Sequence, residues 1–459
     1  MIVSLGVSAC ALISNSSVVE PTPSISAVTV ASTPKISPTM TSRSSDLQPA
    51  DIPEGLKVQF WHPWSGEMAN LMDEMVDEFN QSNEWGITVE VEFHSDEVVF
   101  IEDMNQAILE ENPPELIAAP GYYLRSLEAS GFTLQDLQKF IELKDWGFSG
   151  DEVRSFLPVF WNAGIQTDKR IGIPAYQSGQ FIFINQSWTK ELGFSGTYSS
   201  PEDFKNLTCA AGAAYLNDND VTNNGTGGWV YTYDPNSFFS WLKTFNGGNG
   251  SDGNDSIVLG GAENVESGTY LYDLFLDNCA WIGRQQQPYA YFANRQALAY
   301  SGRMEDILIQ ERVNELNKSS DQWSVFPFPS KSEKPTLLLD GASYAITTQD
   351  NEKALAAWLF VRWLLSPENQ VRIIEVSGTF PLSDQAIELL ENYEKEHPVW
   401  AEALNFLPLA QQIPEDPDWG LVKEVLADLS WKLIQFNTKR EDISFIFQDA
   451  QNLLTEITK

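Results

Sequence analysis

The chain has 459 residues and a formal net charge of −36, from 64 acidic and 28 basic side chains. This charge repels nucleic-acid phosphates, which excludes nucleic-acid binding, and it favours a monomer and a neutral ligand over a phosphorylated one. The length predicts two lobes. No apolar run approaches the roughly 20 residues of a membrane span, and the longest candidate, residues 354–365 with Arg362 inside it, predicts a buried helix.

The N-terminal Val7-Ser8-Ala9-Cys10 resembles the lipobox of bacterial lipoproteins. The resemblance implies that residues 1–10 end a signal peptide and that Cys10 becomes a lipid anchor. Residues 1–7 lack a basic n-region and a long apolar stretch, so we expect the true translation start to lie upstream. The alternative is a chance cysteine in a disordered tail.

A tether is predicted at residues 11–54, because residues 14–53 are rich in Ser, Thr and Pro and poor in apolar side chains. A disordered spacer directly after a lipidated residue would let a folded module range over the membrane surface. The lipobox and the tether therefore support each other.

The folded part opens with alternating strands and amphipathic helices. Val58 and Phe60 indicate a strand, and a helix follows that Ser65 can cap. Strands at 87–93 and 116–119 flank a helix at 101–111, and this order argues for a parallel sheet covered by helices. Ligands bind beyond the carboxyl ends of such strands. The apolar stripe of the first helix consists of Met68, Leu71, Met72, Met75, Val76 and Phe79.

The later chain again contains predicted strands and helices, but with different spacing. Strands are predicted at 229–233, 296–300, 323–328 and 337–347, a short helix at 237–245, and mostly helix from 384 onward. The strand at 296–300 is expected to stop at Ser301-Gly302-Arg303.

Cys209 and Cys279 lie outside any metal-binding spacing. In an oxidising compartment they predict a disulfide, and two reduced buried thiols are the alternative.

Several stretches together resemble the family 1 extracellular solute-binding proteins of bacteria. They occur in the family's order over about residues 55–459, and no one of them is specific alone. They are the segment from Val58 to Gly66 (VQFWHPWSG), Ile173 to Gly179 (IPAYQSG), Phe183 to Trp188 (FINQSW), Asn294 to Gly302 (NRQALAYSG), residues 354–368 and Gly378 to Leu382 (GTFPL).

The resemblance implies an α/β, two-lobed, periplasmic-binding-protein-like fold, each lobe a sheet flanked by helices and joined by hinge crossings. The crossings are expected near Pro174, 328–334 and 380–381. Lobe 1 would comprise 55–175 plus 332–380, and lobe 2 would comprise 176–331 plus 381–459. The implied function is capture of a sugar, polyol or glycerol-phosphate ester for an ABC importer permease, with closure by hinge motion and the membrane reached only through the lipid anchor.

A sugar site needs aromatic faces and dense polar groups in a cleft that excludes water. For His62, Trp64 and Glu67 the alternative is loop packing, for Tyr122 a surface tyrosine, and for Asp234 a turn before Pro235. The candidate ligand-contacting residues are His62, Trp64, Ser65, Glu67, Gly121, Tyr122, Gln177, Ser178, Tyr233, Asp234, Asn236, Arg303, Gly341 and Ser343.

Arg303 departs from the aromatic or small residue that many sugar-binding relatives carry near this turn. Its guanidinium could bind a carboxylate or phosphate bidentately, or pair with Glu305 or Asp306.

No catalytic signature occurs in the sequence, so the class expected is a binding protein and not an enzyme. No metal is expected, because Asp218, Asp220, Thr222 and Asn224 imitate a calcium loop but Trp229 takes the place of its closing Glu. No cofactor is indicated. The alternatives left open are a secreted carbohydrate-active enzyme with a carboxylate pair and an envelope sensory or adhesion module.

Overall fold

A computed structural model describes residues 55–166, 169–196, 198–247, 257–332 and 334–458. The predicted lipid anchor at Cys10 and the predicted tether lie outside these residues. Within them, no helix is long and apolar enough to cross a membrane.

Most strands of the described part join one mixed sheet, and β4 and β5 form a separate hairpin. The strands are β1 (Lys57–His62), β2 (Thr88–Phe93), β3 (Leu116–Pro120), β4 (Ile165–Gln166), β5 (Lys169–Arg170), β6 (Ile173–Asn185), β7 (Gly227–Tyr231), β8 (Ala280–Ile282), β9 (Ala297–Arg303), β10 (Trp323–Phe326), β11 (Leu337–Ile346) and β12 (Ala410–Gln412).

Helices cover both faces of this sheet. They are α1 (Glu67–Ser82), α2 (Glu97–Leu109), α3 (Gly121–Ala129), α4 (Gln138–Ile141), α5 (Gly150–Ser155), α6 (Pro158–Trp161), α7 (Gln186–Glu191), α8 (Pro201–Leu216), α9 (Pro235–Thr244), α10 (Ala262–Leu276), α11 (Tyr289–Ala293), α12 (Asp306–Leu316), α13 (Asn351–Leu364), α14 (Pro367–Ser377), α15 (Asp384–Leu389), α16 (Glu391–Glu396), α17 (Pro398–Leu404), α18 (Trp419–Leu433) and α19 (Ile443–Ile457). Two short 3₁₀ turns lie at Leu407–Leu409 and Arg440–Asp442.

The strand order is β2-β1-β3-β11-β6-β9-β7-β8, with β10 paired to β6 and β12 to β11. Strands β1, β2 and β3 are parallel, as the sequence predicts, and β11 runs antiparallel to β3. Strand β6 pairs with β11 through Gly179 and with β9 from Gln180 onward. One long strand therefore joins a first half of the sheet (β1–β3, β11) to a second half (β7–β10).

The two cores lie on opposite faces of the sheet, because successive strand residues point to opposite sides. In β6, Phe181 and Phe183 belong to one core and Ile182 and Ile184 to the other. Strands buried on both faces carry nearly continuous apolar sequence, which explains why these segments lack a polar alternation.

The first helix confirms its predicted apolar stripe, since all six stripe residues are buried in α1. The predicted cap is wrong: the N-cap is Gly66, at φ 62°, and no side chain caps the helix. The positive φ, which glycine adopts without strain, turns the chain into the helix one residue after Ser65.

Two other expectations have clear outcomes. The buried helix expected at 354–365 is confirmed as α13, whose Arg362 Nε donates to the Gly147 carbonyl at 2.9 Å. The disulfide between Cys209 and Cys279 is present and links α8 to the segment before β8.

Strand β9 does not end before Ser301, as predicted, but runs to Arg303. Its pairing with β6 continues through Gly302, opposite Phe181, and Arg303, opposite Gln180. Strand β6 is longer than its apolar sequence suggested. Its pairing with β9 therefore places Arg303 at the junction between the two halves of the sheet.

Candidate functional site

A buried carboxylate marks the place where β11 pairs with β6, the strand that joins the two halves of the sheet. Asp340 interrupts the apolar strand β11, lies opposite Ser178 of β6, and is 5% exposed. One carboxylate oxygen accepts from Asn236 Nδ2 at 2.6 Å, and the other from Arg303 at 2.9 Å. Burial raises the pKa of Asp340, and the positive charge of Arg303 partly opposes that shift. A buried charge needs such partners to be tolerated.

Arg303 contacts two carboxylates at this junction. Besides its bond to Asp340, its Nε lies 2.8 Å from the Glu305 carboxylate, so the salt-bridge alternative with Glu305 is observed. Burial lowers the pKa of Arg303, but Asp340 and Glu305 outweigh burial and the pKa is raised overall. The guanidinium is therefore already neutralised by protein carboxylates.

Glu305 and Asp306 both accept hydrogen bonds within the cluster. Glu305 accepts hydrogen bonds from the hydroxyls of Tyr176, at 2.9 Å, and Ser178. Asp306 accepts from the backbone N–H of Arg303 at 2.7 Å, and burial together with Glu305 raises its pKa to about 6.

A second polar group joins helices of different parts of the chain. Glu97 of α2 accepts from the Tyr122 hydroxyl at 2.5 Å and forms an ion pair with Lys423 of α18. Burial raises the pKa of Glu97, but Lys423 outweighs it, and Arg303 lowers the pKa further, so the net direction is downward.

A cavity of about 20 Å³ lies next to these polar groups. Five predicted ligand-contacting residues line it: Gly121, Tyr122, Gln177, Gly341 and Ser343. A volume near 20 Å³ suits one water molecule and is far below the roughly 300–1,000 Å³ of small-molecule sites. This cavity is therefore too small for a sugar in the conformation described.

Glu415 seals one side of this cavity. Its carboxylate accepts from Arg125 at 2.7 Å and from the Gly164 N–H at 3.1 Å. A Cβ on Gly121 would come within 2.8 Å of this same carboxylate, so the close approach depends on the glycine.

Strand packing requires a glycine at position 341, independently of any ligand. A Cβ added there would lie 2.1 Å from the carbonyl oxygen of Tyr176 on β6. The glycine thus lets β11 pack against β6, and it also lines the cavity.

The loop after β1 contributes little open surface in this conformation. His62 is fully buried and stacks on Trp64 at 4.9 Å between ring centroids. Trp64 is 8% exposed, and its ring lies 6.0 Å from that of Tyr176. Ser65 is exposed, and Glu67 is exposed and lies 3.7 Å from Arg312 of α12.

The three candidate residues after β7 lie in different environments. Asp234 is the N-cap of α9, where it accepts from the Ser237 N–H at 2.6 Å, so its carboxylate has a local structural role. Asn236 is buried beside Asp340. Tyr233 is 40% exposed and packs against Trp431, which is 44% exposed.

Sequence reasoning did not single out several members of the site. Asp340 had a visible signal, a charge inside an apolar strand, but Glu97 and Lys423 had none. The predicted calcium-like turn folds on itself, with Asp218 accepting from the Asp220 N–H at 2.7 Å. No cluster of three metal-ligating side chains occurs among residues that the structure describes.

A family model described as "Bacterial extracellular solute-binding protein" matches residues 74–412. No curated protein sequence matches the chain.

Solved structures with similar folds include three binding proteins. The cyclic α-maltosyl-1,6-maltose binding protein from Arthrobacter globiformis is 16% identical, with a TM-score of 0.70 and coverage of 87% of this chain and 98% of that one. An ABC substrate-binding protein from Listeria monocytogenes, in complex with cycloalternan, is 16% identical, with a TM-score of 0.71 and coverage of 88% and 99%. UgpB from Mycobacterium tuberculosis, in complex with glycerophosphocholine, is 14% identical, with a TM-score of 0.71 and coverage of 88% and 98%.

These likenesses confirm the predicted fold class, an α/β fold of the periplasmic-binding-protein type. The matching family consists of substrate-binding proteins and not enzymes, which agrees with the class expected from the sequence, and its extracellular assignment implies an extracytoplasmic location.

Proposed function

Because the chain belongs to the family of bacterial extracellular solute-binding proteins, we propose that it captures a neutral sugar or polyol between two lobes and delivers it to an ABC importer. The observation that carries the proposal is the polar cluster around Asp340, where β11 pairs with β6, the strand that joins the two halves of the sheet. Hydroxyl-rich ligands need such dense donors and acceptors, with aromatic faces beside them. Tyr122 and Tyr176 supply aromatic rings here.

The charge balance of the site favours a neutral ligand. The cations Arg303 and Lys423 share the cluster with the carboxylates of Asp340, Glu305 and Glu97. Each cation already has a carboxylate partner, so a phosphate ester would add negative charge where acidic groups are in excess. This argues for a sugar or polyol over a glycerol-phosphate ester.

We infer that ligand entry requires the two halves to separate, because the cavity is too small for a sugar. The proposed lobes are residues 55–175 plus 332–380 and 176–331 plus 381–459, with hinges in the predicted crossings, the first of which lies in β6. Contacts such as Glu97 with Lys423 and Glu67 with Arg312 would break on opening. We expect the radius of gyration from small-angle X-ray scattering to fall when ligand binds.

The first experiment measures ligand binding by calorimetry and thermal shift. The full chain is titrated with maltose, maltotriose, cycloalternan and glycerophosphocholine. A ligand at 100 times its Kd should stabilise the native state by about 2.7 kcal/mol. Binding of a neutral carbohydrate without product formation supports the proposal, whereas a response to glycerophosphocholine alone contradicts the neutral-ligand part.

Two arginine variants separate a ligand contact from general stability. Arg303→Gln should weaken carbohydrate binding about tenfold or more, because hydrogen bonds to charged groups contribute about 1.5–3 kcal/mol. Arg440→Gln is the matched control, since Arg440 forms an exposed ion pair with Asp273. Equal affinities for the two variants would remove Arg303 from the site.

Importer partnership and membrane anchoring are the remaining parts of the proposal. Deleting the chain should abolish uptake of the radiolabelled ligand, while a sensory module would leave uptake intact. Changing Cys10 to Ser should release the protein from the membrane fraction, as expected for a lipid anchor followed by a tether.

A further inference from the structure

A second cavity in the described part of the chain lies outside the site discussed above. It encloses about 650 Å³ between the C-terminal end of α1, helices α13 to α15, and the segment before α5. This volume falls in the range of about 300–1,000 Å³ typical of small-molecule sites. Because none of its lining residues belongs to the Asp340 cluster, it is a separate groove.

Three half-buried tryptophans line this groove: Trp85, Trp146 and Trp363. Trp363 packs on the rings of Phe79 and Phe360, with centroid distances of 5.7 and 6.2 Å. The core therefore holds its ring in place, while the ring also borders the cavity. Pre-positioned aromatic faces of this kind stack on the apolar faces of sugar rings at low entropic cost.

The indole N–H groups of these three tryptophans have no hydrogen-bond partner among the described residues. In contrast, the deeper Trp358 donates its indole N–H to the Trp146 carbonyl at 2.9 Å. The groove thus presents free donors beside its aromatic surface. Such donors suit ligand hydroxyl groups.

Fixed and free polar side chains complete the lining. Arg362 is held by the Gly147 carbonyl, by Glu152 at 3.5 Å, and by the Phe148 ring, whose centroid lies 5.8 Å from the guanidinium. Gln385 is half-buried, and its side-chain amide makes no hydrogen bond within the part of the chain that the structure describes. Its amide offers both a donor and an acceptor.

The charge of the groove excludes some ligand classes. The carboxylates of Glu84, Asp145 and Glu152 face the single cation Arg362, so anionic ligands meet net repulsion. An apolar ligand would desolvate these polar groups without replacing their hydrogen bonds, which costs free energy.

We propose that this groove is a second binding site, for a neutral saccharide of one or two rings. It is independent of the site at Asp340 and would allow the protein to hold a glycan surface while the other site captures a free solute.

The test follows individual tryptophans by ¹⁹F NMR of the full chain labelled with 5-fluorotryptophan. The probes are maltose, cellobiose and chitobiose. Resonances of Trp85 and Trp363, assigned by Trp→Phe substitution, should shift saturably with at least one disaccharide and a Kd of about 1 mM or tighter. This readout reports on the groove whether or not the Asp340 site binds the same sugar.

Two groove variants and one control complete the design. Trp85→Ala should weaken binding about tenfold or more, and Gln385→Trp should block it by filling the groove. Trp281→Phe is the control, because Trp281 bonds to the Gly227 carbonyl in the second half of the sheet. Absence of any shift at Trp85 and Trp363, or a Kd unchanged in folded Trp85→Ala and Gln385→Trp, overturns the proposal.

Discussion

His62 should make the protein sensitive to acid. Its ring is fully buried, and Nδ1 accepts the Trp64 backbone N–H at 3.2 Å, so the neutral tautomer carries its proton on Nε2. Nε2 has no partner among the described residues. Burial, with a smaller contribution from the charge of His94, lowers the pKa of His62 from 6.5 to about 3. The folded state therefore resists protonation that the unfolded state accepts.

The sign and size of the effect follow from proton linkage. Between about pH 6.5 and about pH 3 the unfolded chain binds a proton at His62 that the native chain does not, so stability falls as the pH falls. From about pH 7.5 to about pH 5 this group alone should cost about 2 kcal/mol, approaching a ceiling of about 5 kcal/mol below both pKa values.

The assay is urea unfolding, followed by circular dichroism, of wild type and His62→Asn at about pH 7.5 and about pH 5. Asn can accept the Trp64 N–H but does not titrate. It should be less stable at neutral pH by about 1–3 kcal/mol, because ring packing is lost. It should nevertheless lose about 2 kcal/mol less than wild type on acidification.

Asp306→Asn tests a second titrating group, whose effect on the pH dependence of stability is opposite to that of His62. The pKa of Asp306 is raised to about 6, so its protonated form favours the native state and stability rises as the pH falls through that value. Asp306 thus offsets part of the His62 effect in the wild type, and Asp306→Asn should lose about 1 kcal/mol more on acidification. If His62→Asn and wild type lose the same free energy between the two pH values, the reasoning for His62 is refuted.

Two further predictions concern the scaffold. Reducing the Cys209–Cys279 bridge, which closes a separation of 70 residues, should destabilise the protein by roughly 4 kcal/mol, and a melting midpoint insensitive to reductant would contradict this. Gly341→Ala should cost about 1–3 kcal/mol or more, because its Cβ meets the Tyr176 backbone, whereas Gly121→Ala should cost less, because its Cβ meets a flexible carboxylate side chain. Chemical unfolding of the two variants gives the comparison, and equal costs would contradict the steric argument.

The sequence predicted features whose causes are local. The stripe of α1 follows from helical periodicity, and the burial of α13 follows from its apolar composition. The Cys209–Cys279 bridge is a case in which pairing was predictable because the chain offers few alternatives. Element ends were less predictable: β9 extends to Arg303 because β6 lies beside it, and that neighbour is invisible in the local sequence.

The polar site was predictable only in part, because its contacts span long stretches of chain. Residues on β6 and α3 were singled out from their places on a predicted crossing or after a strand. Lys423 carried no signal, since it pairs with Glu97, a residue in a distant part of the sequence. Asp340 was a visible anomaly, but its pairing with Arg303 depends on the strand order and on the true end of β9.

The position of β11 between β3 and β6 has a consequence for biogenesis. Roughly 220 residues separate the end of β3 from the start of β11, and a ribosome needs on the order of 10–40 s to make them. Until then one edge of β3 lacks its native partner, so the first half of the sheet cannot close while the chain is being made. The first half of the sheet therefore cannot be completed until most of the chain has been synthesised.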